Sequence, residues 1–247
     1  MLKVLTAESS FDSAKLLRDH LQPKWGKRIL VTKNPEKITT SPFIRYGNSS
    51  PVNVEETDFN SPDFIKFSAN KQKFSMKMEE HEIYSPQYFK GNSNLIFPML
   101  IRETLTSYGC KGIHVIESSG DFNKTYRASY FWTPYIYLEF ELRVHVLGGK
   151  IARVFKKTME NEPKLPIRKN SNCHFSLRDV GKYPKLDKCV EELMEVPQIS
   201  DGRFFSIDIG WDKDNQEYFV LELNSGSGLN DNTAEEYATY IYETYLI

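Results

Sequence analysis

The stretch Ala128 to Thr158, ASYFWTPYIYLEFELRVHVLGGKIARVFKKT, limits the possible folds more than any other. In FELRVHV, Leu142, Val144 and Val146 alternate with Glu141, Arg143 and His145, the period of a strand with two unlike faces. Gly148-Gly149 then supplies a tight turn, because glycine takes the positive φ values that two-residue hairpins need. A returning strand follows, so a long antiparallel hairpin is expected and an all-helical fold is excluded. RFFSIDIGWDKDNQEYFVLELN (203–224) repeats the device, with DKDNQ as its turn. On these strands Asp208 lies opposite Ile207 and Ile209, while Glu222 and Asn224 lie opposite Leu221 and Leu223.

The remaining segments alternate helix and strand. LKVLTAESSFDSAKLLRDHL reads as strand, turn and amphipathic helix with Ala14, Leu16, Leu17 and Leu21 on its apolar side, and KRILVT (27–32) reads as a second strand. A helix, turn and extended segment are expected over 68–86, strands within 94–104 and 107–118, and a polar loop over 160–180. Further helices are expected over 186–196 and 233–246, the last opened by a Thr233 cap with Glu in its first turn. A chain of 247 residues can hold one large domain or two small ones. The expected division is an N-terminal α/β unit (1–66), a middle lobe (67–134) and a C-terminal lobe (135–247).

Composition excludes several functions. The net charge is −1 and no basic run carries interleaved aromatics, so nucleic acid is not an expected partner. No apolar stretch approaches the ~20 residues that span a bilayer, and the N-terminus lacks the apolar core of a signal peptide. Cys110, Cys173 and Cys189 are an odd number with no CxxC, which points to free thiols in a reducing compartment, the cytoplasm. Cys110 resembles a nucleophile, but no residue is assigned as its base.

The polar strand faces carry the candidate chemistry. Asp208, Glu222 and Asn224 are hard oxygen donors, suited to Mg²⁺ or alternatively Mn²⁺ beside a phosphate-bearing substrate. Half-solvated strands would look the same singly; three in one region favour the ion. The loop YGCKGI places Gly109 and Gly112 around Lys111, with Arg102 upstream, as either a phosphate cradle or a plain hairpin turn. Neither GxxxxGK[ST] nor GxGxxG occurs. His145 would orient an acceptor amine or a phosphate, or be a half-buried strand histidine.

The order of these pieces is a pattern in itself. A helix carrying NK and ending in SP, a strand, a GxGI-like loop, ELRVHV, DI and LELNSGSGL together resemble the ATP-grasp superfamily. The likeness covers about residues 68–247 and weakly RYGNS (45–49). It is closest to the carboxylate–amine ligases, including small phage-encoded members and enzymes similar to glutathione synthetase and ribosomal-protein glutamate ligase. The resemblance implies an α/β fold in which two α+β lobes hold ATP between antiparallel sheets. It implies that ATP activates a carboxylate as an acyl phosphate, which an amine then attacks to form an amide.

Residue by residue, the resemblance implies that Asp208, Glu222 and Asn224 hold Mg²⁺, with Arg143 and Lys111 as catalytic cations. Arg102, Gly109, Gly112, Glu141, Lys156 and Lys157 would surround the nucleotide, with Thr133, Tyr135 and Ile136 in the hinge beside adenine. Arg45, Asn48, His145, Ser225 and Gly226 would meet the substrates. Arg168 is either a fork for a carboxylate or a solvated loop residue. Two departures stand out: Arg102 occupies a position where lysine is usual, and Ser227 replaces a proline, which is expected to loosen its turn. Expected partners are carboxylate and amine substrates (small molecules, peptides or protein tails) for a monomer or homodimer in the cytoplasm, the host's if phage-encoded. The competing reading is a nucleotide-binding or host-interaction module that kept the fold and lost turnover. An RNA-ligase-like nucleotidyltransferase, suggested by Lys111-Gly112, lacks the Lys-x-Asp-Gly spacing.

Overall fold

The computed structural model describes residues 1–39, 42–54, 59–105, 112–168 and 172–247. Three sheets organise the chain. The first is parallel, with strand β1 (Leu2–Thr6) between β2 (Ile29–Thr32) and β3 (Phe43–Tyr46). Helix α1 (Phe11–Trp25) crosses from β1 to β2 and ends where Gly26 turns left-handed, at φ 67°. Leu17 and Leu21 of α1 meet Tyr237 and Ile241 of the C-terminal helix, α7 (Asp231–Ile241), in one core with Val4 and Ile44.

Two short helices follow, α2 (Pro62–Ala69) and α3 (Lys71–Glu80). One helix was expected here, but Asn70 takes an extended conformation and its side chain accepts from the Lys73 amide, capping a new helix. The cap places Lys71 in the first turn of α3, and that position matters for the site.

The second sheet is small, with β4 (Met99–Arg102) between β5 (Ile113–Ile116) and β6 (Phe131–Pro134), both antiparallel to it. Helix α4 (Ser119–Thr125), missed in the sequence, buries Phe122 against Met99, Ile101, Ile116 and Trp132. The long strand expected over 128–147 is divided. Pro134 ends β6, and residues 135–139 lead into β7 (Phe140–Leu147) of the third sheet.

That third sheet runs β11-β10-β7-β8-β9, with β8 (Lys150–Thr158), β9 (His174–Arg178), β10 (Phe204–Asp212) and β11 (Glu217–Asn224), every neighbouring pair antiparallel. Gly148 and Gly149, at φ 56° and 78°, make the expected turn between β7 and β8. Strand β9 lies inside the segment expected to be a loop. One face of the sheet packs Leu142, Val144, Val146 and Ile207 against helices α2, α3, α5 (Leu186–Met194) and α6 (Pro197–Ser200). Burying such side chains stabilises by roughly 1.5–3 kcal/mol each, which fixes the register and commits the opposite face to Glu141, Arg143 and Asp208.

Alternation fails at one position that matters. The β10–β11 register shifts between Asp208 and Ile209, so Val220 pairs with Ile209 and Glu222 with Asp208, leaving Leu221 as an extra residue. Leu221 therefore does not share the core side with Leu223; it lines the cleft beside Glu222. The last helix also differs from expectation. Asn230, rather than Thr233, is its cap, accepting from the Thr233 amide and hydroxyl.

Candidate functional site

A cleft opens between the small sheet and the polar face of the large one. Leu100, Arg102, Ile113 and Thr133 line it from the small sheet; Glu141, Arg143, Lys157, Asp208, Glu222 and Asn224 line it from the large sheet. Tyr135 and Ile136 of the connecting segment border it, as does a strap formed by Pro166, Ile167 and Arg168. Five cationic side chains (Lys71, Arg102, Arg143, Lys157 and Arg168) face three carboxylates, an excess suited to a polyanion. Leu100, Ile113, Ile136, Phe219 and Leu221 make the other part apolar, with room for a flat ring.

Asp208 is the hub of the polar part. Arg143 donates to it as a fork, Nε to Oδ1 and a terminal nitrogen to Oδ2, both at 2.8 Å, and Lys157 Nζ donates to Oδ2 at 2.6 Å. Burial alone would push this carboxyl up; Arg143 and Lys157 overcome that and hold it well below the usual range. Lys157 also lies 3.7 Å from Glu141, which Arg168 contacts at 3.2 Å. Burial raises Glu141 against the pull of Lys157 and Arg168. Arg168 also pairs with Glu162, while the Tyr135 hydroxyl donates to the Pro166 carbonyl at 2.9 Å, fastening the strap to the hinge.

Lys71 was missed in the sequence. Its ammonium lies 2.7 Å from Glu222 Oε2; burial pushes that carboxyl up, and Lys71 together with Lys157 brings it below its ordinary value. The only sequence signal was the NK at the start of α3. The like charges of Asp208 and Glu222 would repel in the ion-free protein if left alone, but Lys157 and Lys71 offset them. Asp208 and Glu222 are register partners, and Asn224 lies two residues on; all three are oxygen donors suited to Mg²⁺ or Mn²⁺. Asn224 is the unfinished piece: its buried Nδ2 has no partner among the described residues. Those residues hold no group of three His, Cys, Asp or Glu placed around one ion, so the set rests on two carboxylates and an amide. These donors fit the ion.

The other expected residues are placed as follows. Gly109, Cys110 and Lys111 lie outside the described residues. Gly112 is left-handed at φ 66° and a Cβ there would meet Glu103 at 2.9 Å, so it closes the β4–β5 connection. Arg102 faces the cleft, and its buried Nε has no partner among the described residues. Lys156 and Lys157 diverge, as strand neighbours must: Lys156 lies over the Phe140 ring, away from the cleft. Arg45 is buried and donates to the Asn48 and Ser50 carbonyls, while Asn48 donates to the Thr6 carbonyl. Both hold their own loop.

Ser225 and Gly226 sit where three parts of the chain meet. The Ser68 hydroxyl of α2 donates to the Ile65 carbonyl and so accepts from the Ser225 hydroxyl at 3.1 Å, Ser10 donates to the Gly226 carbonyl at 2.9 Å, and Tyr46 donates to the Ser227 carbonyl. A Cβ on Gly226 would lie 2.4 Å from Ser10 Oγ and 3.1 Å from Gly47 Cα, so only glycine fits. Ser227 does not loosen this turn, as its replacement of proline suggested. Its hydroxyl donates to the Asn224 carbonyl at 3.0 Å and accepts from the Ser206 hydroxyl at 2.7 Å.

His145 shares the strand face of Arg143 but lies outside the cleft, wedged beside Tyr237 and Phe155. The single Tyr237 hydroxyl proton goes to the Phe205 carbonyl, so the Tyr237 oxygen accepts from His145 Nδ1–H, 3.0 Å away. Burial, reinforced by Arg143, pushes the imidazole down to about 3. The unfolded chain, near 6.5, then binds a proton that the folded chain refuses, so stability is full above pH 6.5 and falls as pH drops toward 3. The loss should reach about 2 kcal/mol at pH 5. Melting of wild type and His145→Gln at pH 7 and pH 5 checks this; an equal drop in both would exclude His145 as the source.

No family model and no curated protein matches the chain. Solved structures do match. The ATP-grasp ligase PsnB, complexed with a minimal precursor, aligns at TM-score 0.68 and 10% identity over 98% of each chain. D-alanine–D-alanine ligase from Bacillus anthracis aligns at TM-score 0.69 and 10% identity, covering 99% of this chain and 96% of its own. The macrocyclase MdnC from Microcystis aeruginosa, bound with precursor peptide MdnA, aligns at 0.63 and 11% identity over 99% of this chain and 100% of its own. Identity this low speaks for the path of the backbone alone. Within that limit the agreement spans nearly every residue, and the chain has the ATP-grasp fold.

Proposed function

We propose that the protein is an ATP-dependent carboxylate–amine ligase that forms an amide bond through an acyl phosphate, releasing ADP and phosphate. The observation that carries this reading is the meeting of Arg143, Lys157 and Lys71 on Asp208 and Glu222, beside the unsatisfied Asn224 amide, at one end of an apolar slot. A module that had lost turnover would have no need of this paired charge.

In this reading the base lies between Ile136 and Leu221, and the polyphosphate points toward the cations. Asp208, Glu222 and Asn224 hold Mg²⁺, which when bound offsets charge on the phosphates. The carboxylate oxygen of the acceptor attacks the γ-phosphorus as its bond to ADP breaks, and Arg143 stabilises the charge on the transferred group. The amine then adds to the acyl carbon, and phosphate leaves with the C–O electron pair and takes up the proton that the amine gives up. Lys157 and Lys71, which hold Asp208 and Glu222 here, would turn to the phosphate oxygens when the nucleotide binds. With the units bounded at 1–66, 67–134 and 135–247, this reading gives the nucleotide to the second and third and the acceptor side to the first.

Millimolar MgATP or MgADP should raise the melting temperature by mass action: a ligand at 100 times its Kd adds about 2.7 kcal/mol. An unchanged melting temperature with every adenine nucleotide would overturn the proposal. ADP release across a panel of carboxylates and amines, with mass spectrometry of the products, then identifies the substrates.

A further inference from the structure

Strand β9 is the outermost strand of the large sheet and, among the described residues, pairs with β8 alone. Four of its five residues are exposed, including Phe175 at 38% and Leu177 at 53%. Soluble proteins usually blunt such an edge with proline, lysine or a bulge; HFSLR carries none of these. Its apolar side chains belong to the cleft face. Phe175 is the register partner of Lys157 and Leu177 of Phe155, and the Arg143 guanidinium lies 5.1 Å from the Phe175 ring centroid. An exposed apolar strip therefore runs from the open edge to the cations of the site.

The two edge strands themselves carry only basic charge: Lys150, Arg153, Lys156, Lys157, His174 and Arg178 lie on β8 and β9, with no acidic residue. Glu236 pairs with Arg153, Asp208 with Lys157 and Glu160 with His174, so Lys156 and Arg178, on the face away from the cleft, are the charges nearest the edge for a docked chain. A second copy pairing antiparallel about Ser176 would set His174 against Arg178 at both ends, which is unfavourable when the imidazole is charged. An acidic chain meets no such penalty. We propose that β9 is a docking edge for an extended acidic peptide segment with aliphatic or aromatic side chains at alternate positions, which pairs with it as a sixth strand.

The proposal rests on the ligase reading and gives its substrate a peptide character. Three strand spacings of about 4.8 Å, roughly 14 Å in all, separate the docked segment from β7. About four extended residues, at ~3.3 Å each, span that gap. The segment held by β9 is therefore distinct from the residue that reacts. Main-chain pairing supplies affinity, and Phe175 and Leu177 select the side chain between them.

The test is fluorescence anisotropy of the full chain, without nucleotide, using a labelled Glu-Val-Asp-Leu-Glu-Val-Asp-Leu peptide. The second probes are the same peptide N-methylated at one or the other alternate set of residues, which keep charge and side chains while one of the two loses the amides that would face β9. The expected result is saturable binding of the first probe, at least tenfold weaker binding of one of the methylated pair, and at least fivefold weaker binding to Leu177→Asn at unchanged melting temperature. Equal binding of all three probes would overturn strand addition, as would a Leu177→Asn variant that binds normally. A dimer in sedimentation, with β9 amides protected from exchange before peptide is added, would assign the edge to a second copy instead. Loss of peptide binding with an intact MgATP melting shift sinks the docking edge alone; the converse sinks the nucleotide reading alone.

Discussion

Asp208→Ala should lower the unfolding free energy by about 3–5 kcal/mol, because it leaves two buried cations without their partner. Arg143 and Lys157 both donate to this carboxylate and both side chains are buried, so neither can recover its hydration without opening the sheet. For a chain of this size the melting temperature should fall by on the order of 10 °C. Asp208→Asn, which keeps shape and one acceptor, should lose less. The sign with pH follows from the depressed carboxyl. Its contribution is fully present above the unfolded value near 3.9 and disappears as pH falls through the lower folded value, so the two proteins should converge in acid. Urea melts at pH 7 and at pH 3 test both statements. A variant as stable as wild type at pH 7 would mean that the cations are solvated in the cleft.

Arg143→Lys should reduce turnover by about 10²–10³-fold, the size of effect seen when one donor to a developing charge is removed. Lysine keeps the positive charge, so MgATP affinity should change by much less. It cannot, however, hold Asp208 with two nitrogens and present a third to a phosphoryl group. Single-turnover ADP formation and the nucleotide-dependent melting shift, measured on the same variant, separate the two quantities. Equal losses in both would make Arg143 a structural partner of Asp208 and return the catalytic role to another cation of the cleft.

Alternation made the polar face of the large sheet legible. Leu142, Val144 and Val146 face the core and Glu141, Arg143 and His145 face away, as a period of two demands. What escaped was information held by neighbouring strands rather than by the strand itself. The bulge at Leu221 exists only because β10 sets the register, and no local pattern announces it. Strand β9 does alternate, Phe175 and Leu177 against His174, Ser176 and Arg178, but five residues inside a polar segment are too short a run to stand out as a strand. Lys71 reaches Glu222 across 151 positions of sequence through a helix break that the Asn70 cap alone signals. His145 followed the alternation but not the chemistry, since Tyr237 arrives from the far end of the chain to hold it.

The turn from Ser225 to Ser227 has a consequence for how chains of this kind can change length. Its backbone and hydroxyls are held at once by Ser10, Tyr46, Ser68 and Ser206, and its glycine touches Gly47 backbone to backbone. A residue inserted there would move a strand end, a helix and the first sheet together, and none of them has slack to absorb it. Among its described residues, the connection between β8 and β9 is tied to Tyr135, Leu138 and Glu141, all on the hinge side. Insertions and deletions are therefore tolerated beside β9 and refused beside β11, so divergence in length gathers at the rim of the cleft and leaves its floor at constant spacing.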